Sequence, residues 1–194
     1  MIHKMTDKQW HTMYAAPTAA LSHVLNCMLE PFLSPFLFRL ECHATAPFRL
    51  IRALAPHFRS SSETNKVVIN ISSTSGLHGN AGQLNYSAAK SAVLGMTKTI
   101  AKEWGSFGVR CNAVAFGFID TRLTQSKGNS AVEVDGQKVV LGIPDGMRDM
   151  AVQMIPLQRH GTPEEAAGGI LMLVSPYAAY VSGHTLEVTG GFGI

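Results

Sequence analysis

Cysteine is scarce in this chain, and the spacing of the few present excludes several classes of protein. Only Cys27, Cys42 and Cys111 occur, odd in number and far apart. They form no CxxC pair and no zinc-ligand spacing, which fits reduced thiols in an intracellular protein. The eight histidines add no metal-ligand pattern, so no metal is expected. Charge is sparse too. Charged residues make up 15% of the chain and the net charge is +3. Lys and Arg are scattered, so no nucleic-acid partner is expected. The chain has no internal repeat and no low-complexity tract. Its opening, MIHKMTDKQW, lacks the apolar core of a signal peptide. A membrane-spanning helix needs about 20 mainly apolar residues. The most apolar run, residues 14–38, is interrupted by Pro17, Glu30, Pro31 and Pro35, so no membrane partner is expected. The expected compartment is the cytoplasm, with the mitochondrion as the alternative.

What is present points to a globular core. The chain has 194 residues, 46% of them hydrophobic, enough for one domain. Residues 4–13 open with a helix signal, with Thr6 or Asp7 as cap and Trp10 and Met13 on one face. Residues 43–59 read as a helix burying Phe48, Ile51, Leu54 and Ala55, with Arg49, Arg52 and Arg59 outward. KVVINIS is a short β-branched run, the pattern of a strand buried on both faces. Residues 84–105 form the longest amphipathic helix, ending at the glycines that follow. VRCNAVA is a second buried strand. A loop and a polar, glycine-containing stretch lead to Asp145, then a short helix over 146–154. TPEEAAGGILMLVS begins with Thr162 as cap, Pro163 at the first position and two acids in the first turn. HTLEVTGG closes as a third strand. Strands alternating with helices imply a parallel α/β sheet, for which three strands are few.

The chemistry centres on SSTSGLHGNAGQLNYSAAKSA. Residues i and i+4 on a helix lie one above the other, so Tyr86 and Lys90 share a face. A nearby cation favours the phenolate of a tyrosine and makes it a usable proton donor and acceptor. Ser73 lies just after the first buried strand, at the end where ligands of open parallel sheets bind. A Tyr–Lys pair at this spacing is common on solvated helix faces, so the pair alone is weak. Ser87 and Lys90 also spell SxxK, an acyl-enzyme motif. Its companions S-D-N and K-T-G are absent, and Tyr86 explains Lys90 better.

With Ser73, Tyr86 and Lys90 in place, the chain resembles the short-chain dehydrogenases/reductases. NAGQLNYSAAKSAVLGMTKTIAKEWGSFGVRCNAVAFGFIDT is especially similar to 3-oxoacyl-[acyl-carrier-protein] reductases and hydroxysteroid dehydrogenase-like members. The resemblance covers residues 5–13 and 40 to the end. It implies an α/β fold, the C-terminal part of a Rossmann-like doubly wound parallel sheet. It implies an NAD or NADP cofactor, a small-molecule carbonyl or alcohol substrate, and a homo-oligomer when complete. In this resemblance Tyr86 is the acid/base, Lys90 holds the nicotinamide ribose, and Ser73 positions the substrate oxygen. His43 stands where the family often has an asparagine of the proton relay. Gly117, Ile119 and Thr121 of FGFIDT are expected at the cofactor, together with Tyr86 and Lys90.

The departures from the family are equally specific. The family opens with a strand and a TGxxxGxG turn whose amides meet the pyrophosphate. This chain has no such turn, nor the residue that selects NAD or NADP. The expectation is one incomplete domain over 1–194, without the first strands, its KVVINIS strand left as a sheet edge. Residues 14–39 interrupt what the family carries as one helix. They are read as an insertion, irregular or partly helical, either a retained intron or a surface loop. Phe116 replaces the motif proline, which is expected to loosen that loop, and Thr189 replaces an acid. Two functions follow from these departures. One is an NAD(P)-dependent oxidoreductase with impaired cofactor binding. The other is an inactive fragment that associates with a full-length relative.

Overall fold

The computed structural model describes residues 36–60, 62–128, 130–134 and 137–193. The helix signal over 4–13, most of the stretch 14–39, and Cys27 lie outside the described residues. Residues 36–40 are helical and run into a π-helical turn, Glu41–Thr45, and then helix α1, Ala46–Ser60. Strand β1 (Lys66–Ser73) follows, then a five-residue helix α2 (Thr74–His78) and the long helix α3 (Leu84–Trp104). Strand β2 spans Val109–Phe116. Strands β3 (Ser130–Val134) and β4 (Gln137–Leu141) form an antiparallel hairpin. Helices α4 (Asp145–Met154) and α5 (Pro163–Val174) precede the last strand, β5 (Thr185–Val188).

The main sheet has the order β1-β2-β5 and all its pairings are parallel. β1 and β2 are in register from Lys66 opposite Val109 to Ser73 opposite Phe116, and Phe116 also faces Val188. The carboxyl ends of all three strands therefore lie together. Side chains alternate between the two faces of a strand. On β2, Val109 and Cys111 face the core made with Phe48, Ile51 and Ala55 of α1 and Val93, Met96, Ile100 and Trp104 of α3. Arg110 points the other way and donates to Leu173 O on α5 at 2.8 Å. Helices thus cover both faces, and the sheet is doubly wound as expected.

The core-forming positions follow the helical period. Phe48, Ile51 and Ala55 recur on α1, and Ala89, Val93, Met96, Ile100 and Trp104 on α3. Each large side chain fully buried here contributes about 1.5–3 kcal/mol. Several polar groups inside are paired, while Ser87 Oγ, Trp104 Nε1 and His160 Nε2 are buried without a hydrogen-bond partner. Asn112 donates to Val181 O at 2.8 Å and accepts from His184 N at 3.0 Å, fixing the approach to β5. Asn70 donates to Thr97 Oγ1 at 2.9 Å. Cys111 is a free thiol whose pKa burial pushes up to about 12, which removes it from thiolate chemistry. Thr162 and Glu165 form the capping box that starts α5, with Pro163 at its first position.

Four details differ from the sequence reading. Leu54 is 41% exposed and is not part of the core. β1 is not buried on both faces; Ile71 is 41% exposed, because β1 is an edge strand among the described residues. The stretch before Asp145 holds the β3–β4 hairpin rather than loop alone. Phe116, read as part of a loop, is the last residue of β2 and is paired on both sides. Among the described residues, no helix is long and apolar enough to cross a membrane.

Candidate active site

The site stands at the carboxyl ends of β1, β2 and β5, where α3 begins. Tyr86 lies in the first turn of α3 and Lys90 one turn later. The Lys90 ammonium is 5.8 Å from the centre of the Tyr86 ring. Lys90 Nζ donates to Ile71 O at 3.0 Å, which anchors the side chain to the end of β1. Ser72 Oγ donates to Lys90 O at 2.9 Å, so the helix is tied to the same strand end from its backbone. Burial lowers the pKa of Lys90.

His43 also reaches Tyr86. The two rings meet edge to face at 5.4 Å, perpendicular to one another. The structure thus brings three of the four expected catalytic residues, His43, Tyr86 and Lys90, around one phenol. Burial lowers the pKa of His43, and the positive charges of Lys90 and Arg39 lower it further. The folded protein therefore binds that proton less readily than the unfolded chain. The resulting stability is present above the ordinary histidine value of ~6.5 and is lost as pH falls through the folded-state value. Denaturant midpoints of the wild type and His43→Asn, compared between about pH 7.5 and about pH 5, test this. The variant should lose less stability on acidification; an equal loss in both would refute the assignment.

Ser73 sits at the end of β1, half-buried, as the N-cap of α2. Its Oγ accepts from Ser75 N at 3.2 Å. The expected cofactor residues occupy the turn after β2. Gly117 N donates to Val188 O at 3.0 Å, and a Cβ at Gly117 would lie 3.0 Å from Thr189 Cα. Ile119 bridges to Gly161, and Thr121 Oγ1 is 3.1 Å from Thr124 Oγ1. These residues lie in the turn after β2, and Tyr86 and Lys90 on α3, but both are at the same end of the sheet. Thr189 Oγ1 accepts from Gly191 N at 3.2 Å.

Sequence reasoning missed several members of this end of the sheet. Arg39 belonged to the stretch read as an insertion, yet its guanidinium carbon is 5.9 Å from the centre of the Tyr86 ring. Gly76, Arg148 and His160 also carry contacts that no local spacing announces. The SxxK reading loses its nucleophile, because Ser87 Oγ is buried and closed to an acylating reagent. A groove of about 550 Å³ runs from His43 and Lys90 along β1, with Leu50, Leu54 and Phe58 of α1 as its opposite wall. Among the described residues there is no cluster of groups fit to hold a metal ion.

A family model described as Enoyl-(Acyl carrier protein) reductase matches residues 19–193. The chain belongs to the short-chain dehydrogenase/reductase family. The matched span takes in most of the stretch 14–39. Among curated relatives, the chain is 38% identical to the 3-oxoacyl-[acyl-carrier-protein] reductase of Thermotoga maritima, over 76% of this chain and 52% of that protein. It is 46% identical to the 3-oxoacyl-[acyl-carrier-protein] reductase of Synechocystis, over 64% of this chain and 43% of the relative. The (3R)-3-hydroxyacyl-CoA dehydrogenase of Canis lupus familiaris is 38% identical over 73% of this chain and 49% of its own. This short-chain dehydrogenase/reductase spans about half the length of the curated relatives it matches. Among solved structures, a short chain dehydrogenase from Bacillus anthracis superposes with a TM-score of 0.65 at 30% identity, over 80% of this chain and 55% of that one. A 4-hydroxyisoleucine dehydrogenase complexed with NADH superposes with a TM-score of 0.64 at 25% identity, over 79% of this chain and 57% of that one. The relatives are reductases and dehydrogenases, so the family is one of oxidoreductases.

The residues present fit one end of a nicotinamide cofactor. An ammonium and a phenol, donors suited to ribose hydroxyls, stand side by side at the carboxyl ends of the strands. Gly117 leaves no side chain between the turn after β2 and Thr189. No glycine-rich turn opening a βα unit, suited to a pyrophosphate, occurs among the described residues.

Proposed function

We propose that the chain carries the proton-transfer centre of an NAD(P)-dependent oxidoreductase. It would reduce a 3-oxoacyl-type ketone or, in reverse, oxidise a secondary alcohol. The observation that carries this reading is the gathering of His43 and Lys90 around Tyr86 at the carboxyl ends of the sheet. The names of the relatives support an acyl thioester as substrate class. A nicotinamide, when bound, would supply the hydride. Tyr86 gives its phenolic proton to the carbonyl oxygen, and Lys90 offsets the negative charge left on the phenol. Ser73 is assigned to orient that oxygen. His43, kept neutral by its lowered pKa, can both accept and donate, and is assigned to return the proton to Tyr86. Gly117, Ile119 and Thr121 are assigned to the nicotinamide end, with Lys90 and Tyr86 on the ribose.

We expect weak cofactor binding, because the residues above fit only the nicotinamide end. The test is turnover of acetoacetyl-CoA by the 194-residue chain at increasing NADH or NADPH. The expected result is a slow rate, linear in cofactor through the micromolar range. Saturation at micromolar cofactor would overturn the weak-binding part. Complete absence of turnover at millimolar cofactor would overturn activity of this chain. A second reading then gains: the chain acts by joining a full-length relative. The exposed edge of β1 and its apolar groove favour that reading, and co-purification with such a relative checks it.

A further inference from the structure

Helix α4 and the turn after β2 meet at one guanidinium. Arg148, on the inward face of α4, is largely shielded, with 17% of its side chain exposed. Its Nη1 donates to Thr124 O, in the turn after β2, and lies 3.3 Å from Asp120 Oδ1 in the same turn. Its Nη2 lies 3.4 Å from His160 Nδ1, on the segment joining α4 to α5. An arginine can only donate, so His160 Nδ1 is the acceptor in this contact, and His160 Nε2 is buried without a partner. That imidazole stacks on Phe118, with ring centres 4.5 Å apart. One side chain thus joins three segments that are separate in sequence.

The turn it holds is the one that carries the candidate cofactor residues. Thr124 Oγ1 accepts from Thr121 N at 2.8 Å and donates to Ile119 O at 2.5 Å. Asp120 N donates to Gly161 O at 2.8 Å, and Gly161 N to Phe118 O at 3.0 Å. The side chain of Thr124 therefore shapes the turn, and its carbonyl is fixed by Arg148. On α4 and just beyond it, Ala151 and Ile155 are buried on the same side as Arg148. The outward residues Met147, Met150 and Met154 are exposed.

We infer that Arg148 is a positioning residue, a three-way clasp that fixes Ile119 and Thr121 by tying α4 and the His160 segment to the turn after β2. Its bearing on catalysis rests on the oxidoreductase reading; the clasp itself does not. A planar fork is needed, because its donors diverge toward a carbonyl, a carboxylate and an imidazole. A lysine carries the same charge from a single point and reaches these acceptors only in turn.

Hydrogen exchange of the 194-residue chain, read by peptide mass, tests the clasp without requiring turnover. In Arg148→Met, amides of residues 118–128 and 145–154 should exchange about tenfold faster, while β2 and α3 stay as protected as in the wild type. Arg148→Lys should resemble Arg148→Met. Unchanged exchange in Arg148→Met overturns the clasp. Full protection restored by Arg148→Lys overturns the three-way geometry in favour of a simple charge pair. An equal rise across β2 and α3 overturns local positioning in favour of general destabilisation. Since exchange is read without substrate, an inactive chain leaves this result interpretable.

Discussion

Tyr86→Phe should lower the rate of ketone reduction by about 10²- to 10⁴-fold while leaving the fold intact. The substitution removes one oxygen and keeps the ring. The contacts of Tyr86 with His43, Arg39 and Lys90 are all contacts of that ring, so a phenylalanine preserves them. The loss therefore reports the proton alone. The measurement is steady-state consumption of reduced nicotinamide with acetoacetyl-CoA, paired with a thermal melt of each protein. A rate within threefold of the wild type, on the order of what a lost surface contact costs, would remove Tyr86 from the proposed chemistry. The other two candidates give mixed results by construction. Lys90→Met would leave Ile71 O without its ammonium donor, so stability and rate would fall together. Ser73→Ala removes the cap on Ser75 N, a loss worth about 0.5–2 kcal/mol in helix caps. Tyr86 is the position at which chemistry and structure separate.

The regular elements were legible because each carries its own local signal. The β-branched KVVINIS run, the helical period from Ala89 to Trp104 and the Thr162 cap are statements about neighbours in sequence. The β3–β4 hairpin carries a signal too, Asp135-Gly136 between two apolar-polar runs. Leu54 was misplaced because period gives the face of a helix but not how far the neighbouring sheet extends. β1 ends the sheet among the described residues, so the flank of α1 that carries Leu54 borders a groove instead of a strand. In the site, Tyr86 and Lys90 are one helical turn apart and could be read from spacing. His43 required the family resemblance, since nothing local links it to Tyr86. Arg39 and Arg148 could not be read at all. Their partners lie on other segments, and only the folded chain brings an arginine on α4 to Asp120 and Thr124.

Gly76→Ala should destabilise the protein and displace Lys90, although alanine is the better helix former. Gly76 lies in α2, packed on α3. A Cβ there would lie 2.8 Å from both the carbonyl carbon and the Cβ of Lys90, and 2.9 Å from Ser72 Oγ. The obstructing atoms belong to the backbone and the first side-chain carbon, so no rotamer change relieves the contact. α2 and α3 are also joined by Ser91 Oγ, which donates to Gly76 O at 2.5 Å, and α3 is tied to the end of β1 by Ser72 Oγ, which donates to Lys90 O at 2.9 Å. Either α2 or α3 must move. Overpacking of this kind costs about 1–3 kcal/mol, which for a chain of this size lowers the melting temperature by about 2–12 °C. The internal control is Gly95→Ala, in the middle of α3, where a Cβ meets nothing within 4 Å. That variant should gain about 0.5–1 kcal/mol from helix propensity. Opposite shifts in the two melts would place the penalty in the contact with Lys90. Equal shifts would mean that α2 and α3 do not approach as closely as described, and that Lys90 is held by its bonds to Ile71 and Ser72 without the packing of α2. In the first case the place of the ammonium beside Tyr86 depends on a missing side chain in SSTSGLHG, the segment that also carries Ser73.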